Sequence, residues 1–260
     1  MKIASWNVNS LNVRLPHVLR WLQEAQPDVL ALQETKLQDS KFPHEALREA
    51  GYHYHALFHG QKTYNGVALL SREQHVGESV AAIPGLDDPQ KRVLAATMGG
   101  VRVVNLYVVN GETVGSEKFA YKLRWLAALR AWLQDELQQH PRMVVLGDFN
   151  IAPDDRDVHD PKRWREKILC STPEREALAG LLDLGLHDAF RLHEPEGGHF
   201  SWWDYRLLAF QRGWGLRIDL TLVSDALRER CAGAGIDPGP RGWERPSDHT
   251  PVWVELSAAR

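Results

Sequence analysis

The sequence predicts an α/β fold on three observations. Short apolar runs of strand length alternate with helical patterns along the chain. Polar residues of the kinds that do chemistry fall at or near the ends of those runs. A chain of 260 residues can also bury a substantial core as one domain, here expected over residues 1–260. "KIASWNV" (2–8) reads as the first strand, and "RLPHVLRWLQEAQ" (14–26) then puts Leu15, Val18, Leu19 and Leu22 at helical spacing before "PDVLALQE" (27–34) returns to strand. "GVALLS" (66–71), "VLAATMGG" (93–100) and "VRVVNLYVVNG" (101–111) form a strand series, with Gly99-Gly100 as a tight hairpin turn.

Residues 116–139 predict the longest helix, with Ser116 as N-cap and Phe119, Leu123, Leu126, Leu129, Leu133 and Leu137 on one face. "RMVVLGDFN" (142–150) is a buried strand ending in polar residues. In "TPEREALAGLLDLG" (172–185), Thr172 is placed as N-cap, Pro173 at the first helical position and Gly185 past the end. "LRIDLTLVS" (216–224) alternates with period two, turning Leu216, Ile218 and Leu220 one way and Arg217, Asp219 and Thr221 the other. Residues 152–170, rich in Asp, Pro and Lys/Arg, lack periodicity and read as a long functional loop. "RPSDHTPVWVEL" (245–256) stiffens an acid and an imidazole between two prolines before the last strand.

Composition excludes several classes. At 43% hydrophobic and 25% charged, the chain matches a soluble globular protein rather than a disordered one. No run reaches transmembrane length, and "MKIASWNVNS" lacks the apolar core of an export signal, so a cytoplasmic location without membrane association is expected. Two cysteines, Cys170 and Cys231, are too few for a disulfide framework. A net charge of −3 argues against a protein that coats nucleic acid through bulk positive charge, but not against a local basic groove. Several of the ten tryptophans lie beside basic residues, in "KRWREK" (162–167), "SWWDYR" (201–206) and "RGWER" (241–245). That pairing suits a surface that stacks on bases and grips phosphates, as well as ordinary core packing.

The candidate site residues are Asn7, Glu34, Tyr107, Asp148, Asn150, Asp219, Asp248 and His249. Each has an ordinary structural use as a cap, turn or core residue, so the weight rests on the set. Phosphodiester hydrolysis needs a hard cation, and Glu34 and Asp248 have the chemistry to hold Mg²⁺. It needs a water deprotonated and oriented, which Asp148 would do with Asn150 fixing its position. It also needs donors to the phosphoryl oxygens, which a His249 held by Asp219 would supply with Tyr107. Zinc fits poorly, since neither cysteine falls in a ligand pattern and no HExxH occurs. "DDRDVHDP" (154–161) is no EF-hand, because Asp160 stands where that loop needs glycine.

"WNVNSLNVR" (6–14), "PDVLALQETK" (27–36), "GDFNIAP" (147–153), "GLRID" (215–219) and "RPSDHTPVW" (245–253) together resemble the exonuclease III family of apurinic/apyrimidinic endonucleases, within the endonuclease/exonuclease/phosphatase superfamily. The resemblance runs in order from residue 1 to about residue 256. It implies a four-layered α/β sandwich, two packed mixed β-sheets flanked by helices. It implies an Mg²⁺-dependent DNA repair nuclease, with Mn²⁺ able to substitute, acting on duplex DNA; a monomer is expected because the sequence shows no heptad or other oligomerisation signal. Such an enzyme cuts 5′ of an abasic site to leave a 3′-hydroxyl, commonly with 3′-phosphodiesterase, 3′-phosphatase and 3′→5′ exonuclease activity on blocked 3′ ends.

Carried over by position, Glu34 would bind the metal with Asn7 and Asp248 nearby, directly or through water. Asp148 would activate the nucleophile, Asn150 would orient Asp148 or the phosphate, and Tyr107 would contact the phosphate. His249, paired with Asp219, would stabilise the phosphoryl oxygen or act as base. Trp202, Leu216 and Ile218 match the family's sugar pocket, which accepts a flipped deoxyribose lacking its base. Lys62, Tyr64 and Arg163 are weaker candidates for phosphate contacts. Gly213 and Trp214, where the family often has Asn nearby, and Ala189, where Ser or Thr is common, put substrate preference in question. A specialised 3′-end-processing phosphodiesterase, or a superfamily phosphoesterase acting on inositol phosphates, lipids or RNA, is the alternative enzyme. A catalytically silent DNA-binding module would have lost one of the acids or the imidazole.

Overall fold

The structure, a computed structural model, describes residues 1–49 and 55–258. Its strands are β1 (Lys2–Asn7), β2 (Val29–Gln33), β3 (His55–His59), β4 (Val67–Ser71), β5 (Val76–Val80), β6 (Val93–Met98), β7 (Val101–Tyr107), β8 (Met143–Asp148), β9 (Leu186–Asp188), β10 (Trp202–Trp203), β11 (Gly215–Leu216), β12 (Asp219–Ser224), β13 (Cys231–Ile236) and β14 (Val252–Leu256). Its α-helices are α1 (Leu11–Ala25), α2 (His44–Glu49), α3 (Glu117–Gln139), α4 (Pro161–Trp164), α5 (Thr172–Leu182), α6 (Ala189–His193) and α7 (Asp225–Arg228).

Twelve of these strands build two mixed sheets of six, ordered β13-β14-β1-β2-β4-β3 and β5-β6-β7-β8-β12-β9. Each sheet contains one parallel pair, β1 with β2 and β7 with β8, joined by a long helix, α1 or α3. A parallel pair requires such a crossover, which brings both strands to finish on the same edge. Asn7 and Glu34 lie at that edge in the first sheet, and Tyr107 and Asp148 in the second.

The apolar runs alternate between two buried environments. In the first sheet Ile3, Val29 and Ala31 meet Val103, Val144 and Leu146 of the second, while Ala4, Trp6, Leu30 and Leu32 turn outward under α1 and α2. On the far side, Val104, Leu106 and Val145 pack under Trp125, Leu126 and Leu129 of α3 and Leu178 and Leu181 of α5. Helix, sheet, sheet and helix form the four layers expected, and each fully buried leucine contributes about 2 kcal/mol. Polar clamps cross between the sheets near the site. Gln33 Nε2 donates to Asn105 Oδ1 at 2.8 Å, and Asn105 Nδ2 donates to the carbonyls of Leu32 and Ala68 at 3.0 and 2.8 Å.

Several local readings are confirmed. The β6–β7 hairpin turns on Gly99 and Gly100, at φ 57° and 73°, where a side chain would be strained. Ser116 caps α3 by accepting from Phe119 N at 3.1 Å. Others shift. The buried face of α3 runs through Lys122, Trp125, Trp132 and Glu136, with Leu123 and Leu137 only half-buried, because the two charged residues find buried partners. Ser171, one residue earlier than expected, caps α5, since its N–H and hydroxyl both reach the Glu174 carboxylate. "LRIDLTLVS" divides between β11 and β12. Arg217, Asp219 and Thr221 are as buried as their apolar neighbours, Arg217 being paired with Asp157 and Asp188.

Candidate active site

The four strand-end residues of the two parallel pairs converge. Asn7 Nδ2 donates to Glu34 Oε1 at 2.8 Å and to Asp148 Oδ2 at 2.9 Å, so one buried amide links the two sheets' carboxylates. Its own oxygen accepts from Asn9 N at 3.0 Å, which fixes the amide's orientation. Glu34 leaves β2 at φ 51°, a left-handed turn held where Ser10 N donates to Glu34 O at 2.8 Å. Gly147 lets β8 approach β7 so closely that a Cβ there would lie 1.9 Å from Leu106 O. Asn150, at φ 48°, donates its N–H to Asp148 Oδ1 at 2.9 Å and its amide to Val108 O at 2.9 Å. Both Asp148 oxygens are thereby occupied.

The C-terminal segment supplies the imidazole. His249 Nδ1 lies 2.8 Å from Asp219 Oδ2, and Nε2 lies 3.6 Å from Asp148 Oδ2. Asp219 is placed by its own N–H donating to Ser201 Oγ at 3.0 Å. Burial alone would lower His249, but the carboxylates of Asp219 and Asp148 outweigh it and hold the ring charged well above the usual histidine range. Burial pushes the Asp148 carboxyl up to about 7, against the pull of His249 and with repulsion from Asp219 added. Burial and the charge of Glu34 and Asp148 raise the Tyr107 phenol well above its ordinary value, so it is a proton donor at neutral pH. Arg92 stacks over that ring, 4.8 Å from its centroid.

Among the described residues, Glu34, Asp148 and His249 form a group able to hold a metal ion, their ligand atoms lying within 4.8 Å of one another. Two carboxylates, crowded by a third in Asp219, suit a hard divalent cation, which would offset the burial and the repulsion that raise Asp148. The oxygens of Asp248 accept from Asn9 Nδ2 at 3.1 Å and Trp202 Nε1 at 3.0 Å, and Asn9 in turn accepts from Lys36 Nζ at 2.6 Å, beside Glu34. Lys36 Nζ stands 3.1 Å from Glu34 Oε2 at the rim.

Beside this centre lies a cavity of about 620 Å³, lined by His159, Arg163, Trp164, Trp202, Asp204, Arg206, Leu207, Ala209 and Trp214. Trp202 and Arg163 stand in its wall, whereas Leu216 and Ile218 do not. They are 0% and 2% exposed, packed with Ala152, Val158 and Leu169 behind Trp164 and Trp202. Leu169 is 4% exposed and holds its place at φ 72°, a left-handed conformation costly for leucine. Lys62 and Tyr64 are exposed, and Tyr64 lines a second cavity with Arg92, Tyr107 and Asn110. Asn110 is a site neighbour that sequence reasoning missed, its Nδ2 donating to Asn150 Oδ1 at 3.1 Å. Its position just past a strand, in "VVNG", is the signal that marked the others.

A buried carboxylate cluster and an acid-held imidazolium, set where two packed sheets meet, define a phosphoester hydrolase. The chain belongs to the endonuclease/exonuclease/phosphatase family, whose model matches residues 4–249. It is an exodeoxyribonuclease III-like phosphodiester hydrolase of the DNA repair nucleases, a metal-dependent group. Exodeoxyribonuclease III of Haemophilus influenzae is 40% identical over 98% of this chain and all of its own. The 3′ phosphatase NExo from Neisseria, bound to a product DNA hairpin, superposes with a TM-score of 0.96 at 51% identity, over 99% of this chain and 100% of that one. An AP endonuclease from Archaeoglobus fulgidus gives 0.94 at 36%, with the same coverage. No helix among the described residues is long and apolar enough to cross a membrane.

Proposed function

We propose that this chain is an Mg²⁺-dependent phosphoesterase that trims blocked 3′ ends of duplex DNA, removing 3′-phosphates and 3′-phosphodiester-linked fragments, with incision at abasic sites a minor activity. The observation that carries this reading is that Leu216 and Ile218, expected to line a sugar pocket, are 0% and 2% exposed, packed with Leu169 and absent from the cavity wall. A terminal phosphate needs no such pocket. The likeness to NExo, a 3′ phosphatase and 3′-5′ exonuclease, supports the same choice.

Glu34 and Asp148 are the residues that would hold the cation, whereas His249, kept charged by Asp219, has no free lone pair to offer it. When bound, the cation supplies Lewis-acid stabilisation of the phosphoryl and leaving oxygens. Asp148, deprotonated and aimed by Asn7 and the Asn150 N–H, takes the proton of the attacking water. The His249 imidazolium donates to a non-bridging oxygen, its charge secured by Asp219, and the Tyr107 hydroxyl donates to another. Being charged, His249 serves as stabiliser rather than base. The indoles of Trp164 and Trp202 offer surfaces on which terminal bases stack, with Arg163 and Arg206 beside them for phosphates, while the Trp214 ring is stacked with His159 and covered by Arg212.

The test compares two end-labelled duplexes, one with a 3′-phosphate at a nick and one with an internal abasic analogue, with Mg²⁺ and with chelator. Mg²⁺-dependent release from the 3′-phosphate at a rate at least tenfold above abasic incision is expected. Equal or faster incision would return the chain to the abasic endonuclease reading, which the likeness to the Archaeoglobus enzyme favours.

A further inference from the structure

Directly behind Asn150 lies a charge pair with no access to solvent. Lys122, on α3, and Glu174, on α5, are both 0% exposed, and their side chains are in contact. Lys122 Nζ also donates to Asn150 O at 2.7 Å and to Asn110 O at 3.1 Å, so all three ammonium protons are used. Glu174 accepts in addition from Leu169 N at 3.1 Å, Ser171 N at 3.1 Å and Ser171 Oγ at 2.6 Å. One ion pair thus ties down three separate segments at residues 110, 150 and 169–171, each of which borders the site.

Burying such a pair is costly, and burial lowers the Lys122 ammonium from its ordinary range despite the opposing pull of Glu174. Two apolar side chains of similar volume would avoid the cost of burying charge, but would leave the N–H groups of Leu169 and Ser171 without their acceptor. They would not hold the carbonyls of Asn110 and Asn150. Those carbonyls belong to the residues whose amides are joined at 3.1 Å and whose backbone N–H, at Asn150, aims Asp148. Asn150 needs the support because its backbone is left-handed, at φ 48°.

We propose that Lys122, neutralised by Glu174, is a positioning residue for the hydrolysis: its ammonium holds the Asn110 and Asn150 carbonyls so that Asn150 keeps Asp148 aligned with the attacking water. The inference rests on the phosphoesterase reading above. It requires the catalytic step, and not DNA binding, to depend on Lys122.

The experiment measures kcat, KM for a 3′-phosphate duplex and melting temperature for the full chain and three variants: Lys122→Met, Lys122→Met with Glu174→Leu, and Lys122→Arg. The double variant is expected to fold but melt below the wild type, because the groups at residues 110, 150, 169 and 171 lose their partners, with kcat at least tenfold lower and KM within twofold. The single methionine variant should lose kcat and also melt lower, since Glu174 is left buried without its partner. Lys122→Arg, which keeps the charge but cannot seat a guanidinium in the same space, should lose kcat by severalfold. A double variant that folds with wild-type kcat would overturn the proposal, as would a loss confined to KM. If neither methionine variant folds, wild-type kcat in Lys122→Arg overturns it. Wild-type chain inactive on every DNA end tested would count instead against the phosphoesterase reading.

Discussion

The carboxylate centre and the cavity beside it are built on opposite principles. In the centre, Asn7, Asp148, Asn150, Asp219 and His249 are buried, stand at or beside strand ends and have specific polar partners. The cavity is walled by the 152–170 loop and the 201–214 segment, with half-buried indoles, exposed arginines and two exposed leucines, Leu207 and Leu208, in left-handed backbone conformations. Rigid strand ends set the chemistry to within a hydrogen-bond length, whereas loops set what reaches it. Structures that share this fold are described as a 3′ phosphatase, a 3′-5′ exonuclease and an AP endonuclease.

The sharpest break of this comparison is at the centre. Asp148→Asn should lower single-turnover hydrolysis by about 10³-fold while DNA affinity stays within threefold, because it removes the proton acceptor and one of the two carboxylates that would hold the cation. A loss of affinity instead of rate would place Asp148 in binding. Leu169→Gly tests the cavity side: glycine suits φ 72° and opens space beside Leu216 and Ile218, so abasic incision should rise about tenfold relative to 3′-phosphate release. The void should also cost about 2 kcal/mol or more in denaturant unfolding. Unchanged substrate preference would show that Leu169 does not set it. Trp164→Ala should raise KM for DNA ends about tenfold at constant kcat, the worth of one stacked base, as read from steady-state kinetics.

A smaller effect links the two protonation states. With Asp148 raised to about 7, the rate should fall as pH drops through that value, since only the ionised carboxyl accepts a proton. A cation on the same oxygens favours the ionised form, so the acid limb of the pH–rate profile should move to lower pH as Mg²⁺ increases. Superimposable limbs at low and high Mg²⁺ would separate Asp148 from the cation site.

How much of this was legible in the sequence follows from the range of each interaction. The chemistry-bearing residues stood out because a strand delivers its end residue to a sheet edge whatever the rest of the chain does. The α/β class and the 99–100 hairpin followed from local periodicity and glycine. The partners of Asp248, Asn9 and Trp202, were not legible, because they come from distant segments.

By itself, then, the sequence determined the alternation of strands and helices, the α/β class and the set of acids and imidazole that make phosphoester hydrolysis possible. Only the tertiary structure decided that Leu216 and Ile218 are buried behind the cavity wall and that Lys122 and Glu174, ordinary charged positions on two helix patterns, are a buried pair behind Asn150. The reason is physical: periodicity reports which face a residue shares with its near neighbours, whereas filling a cavity or pairing a buried charge depends on side chains that only the folded chain brings together.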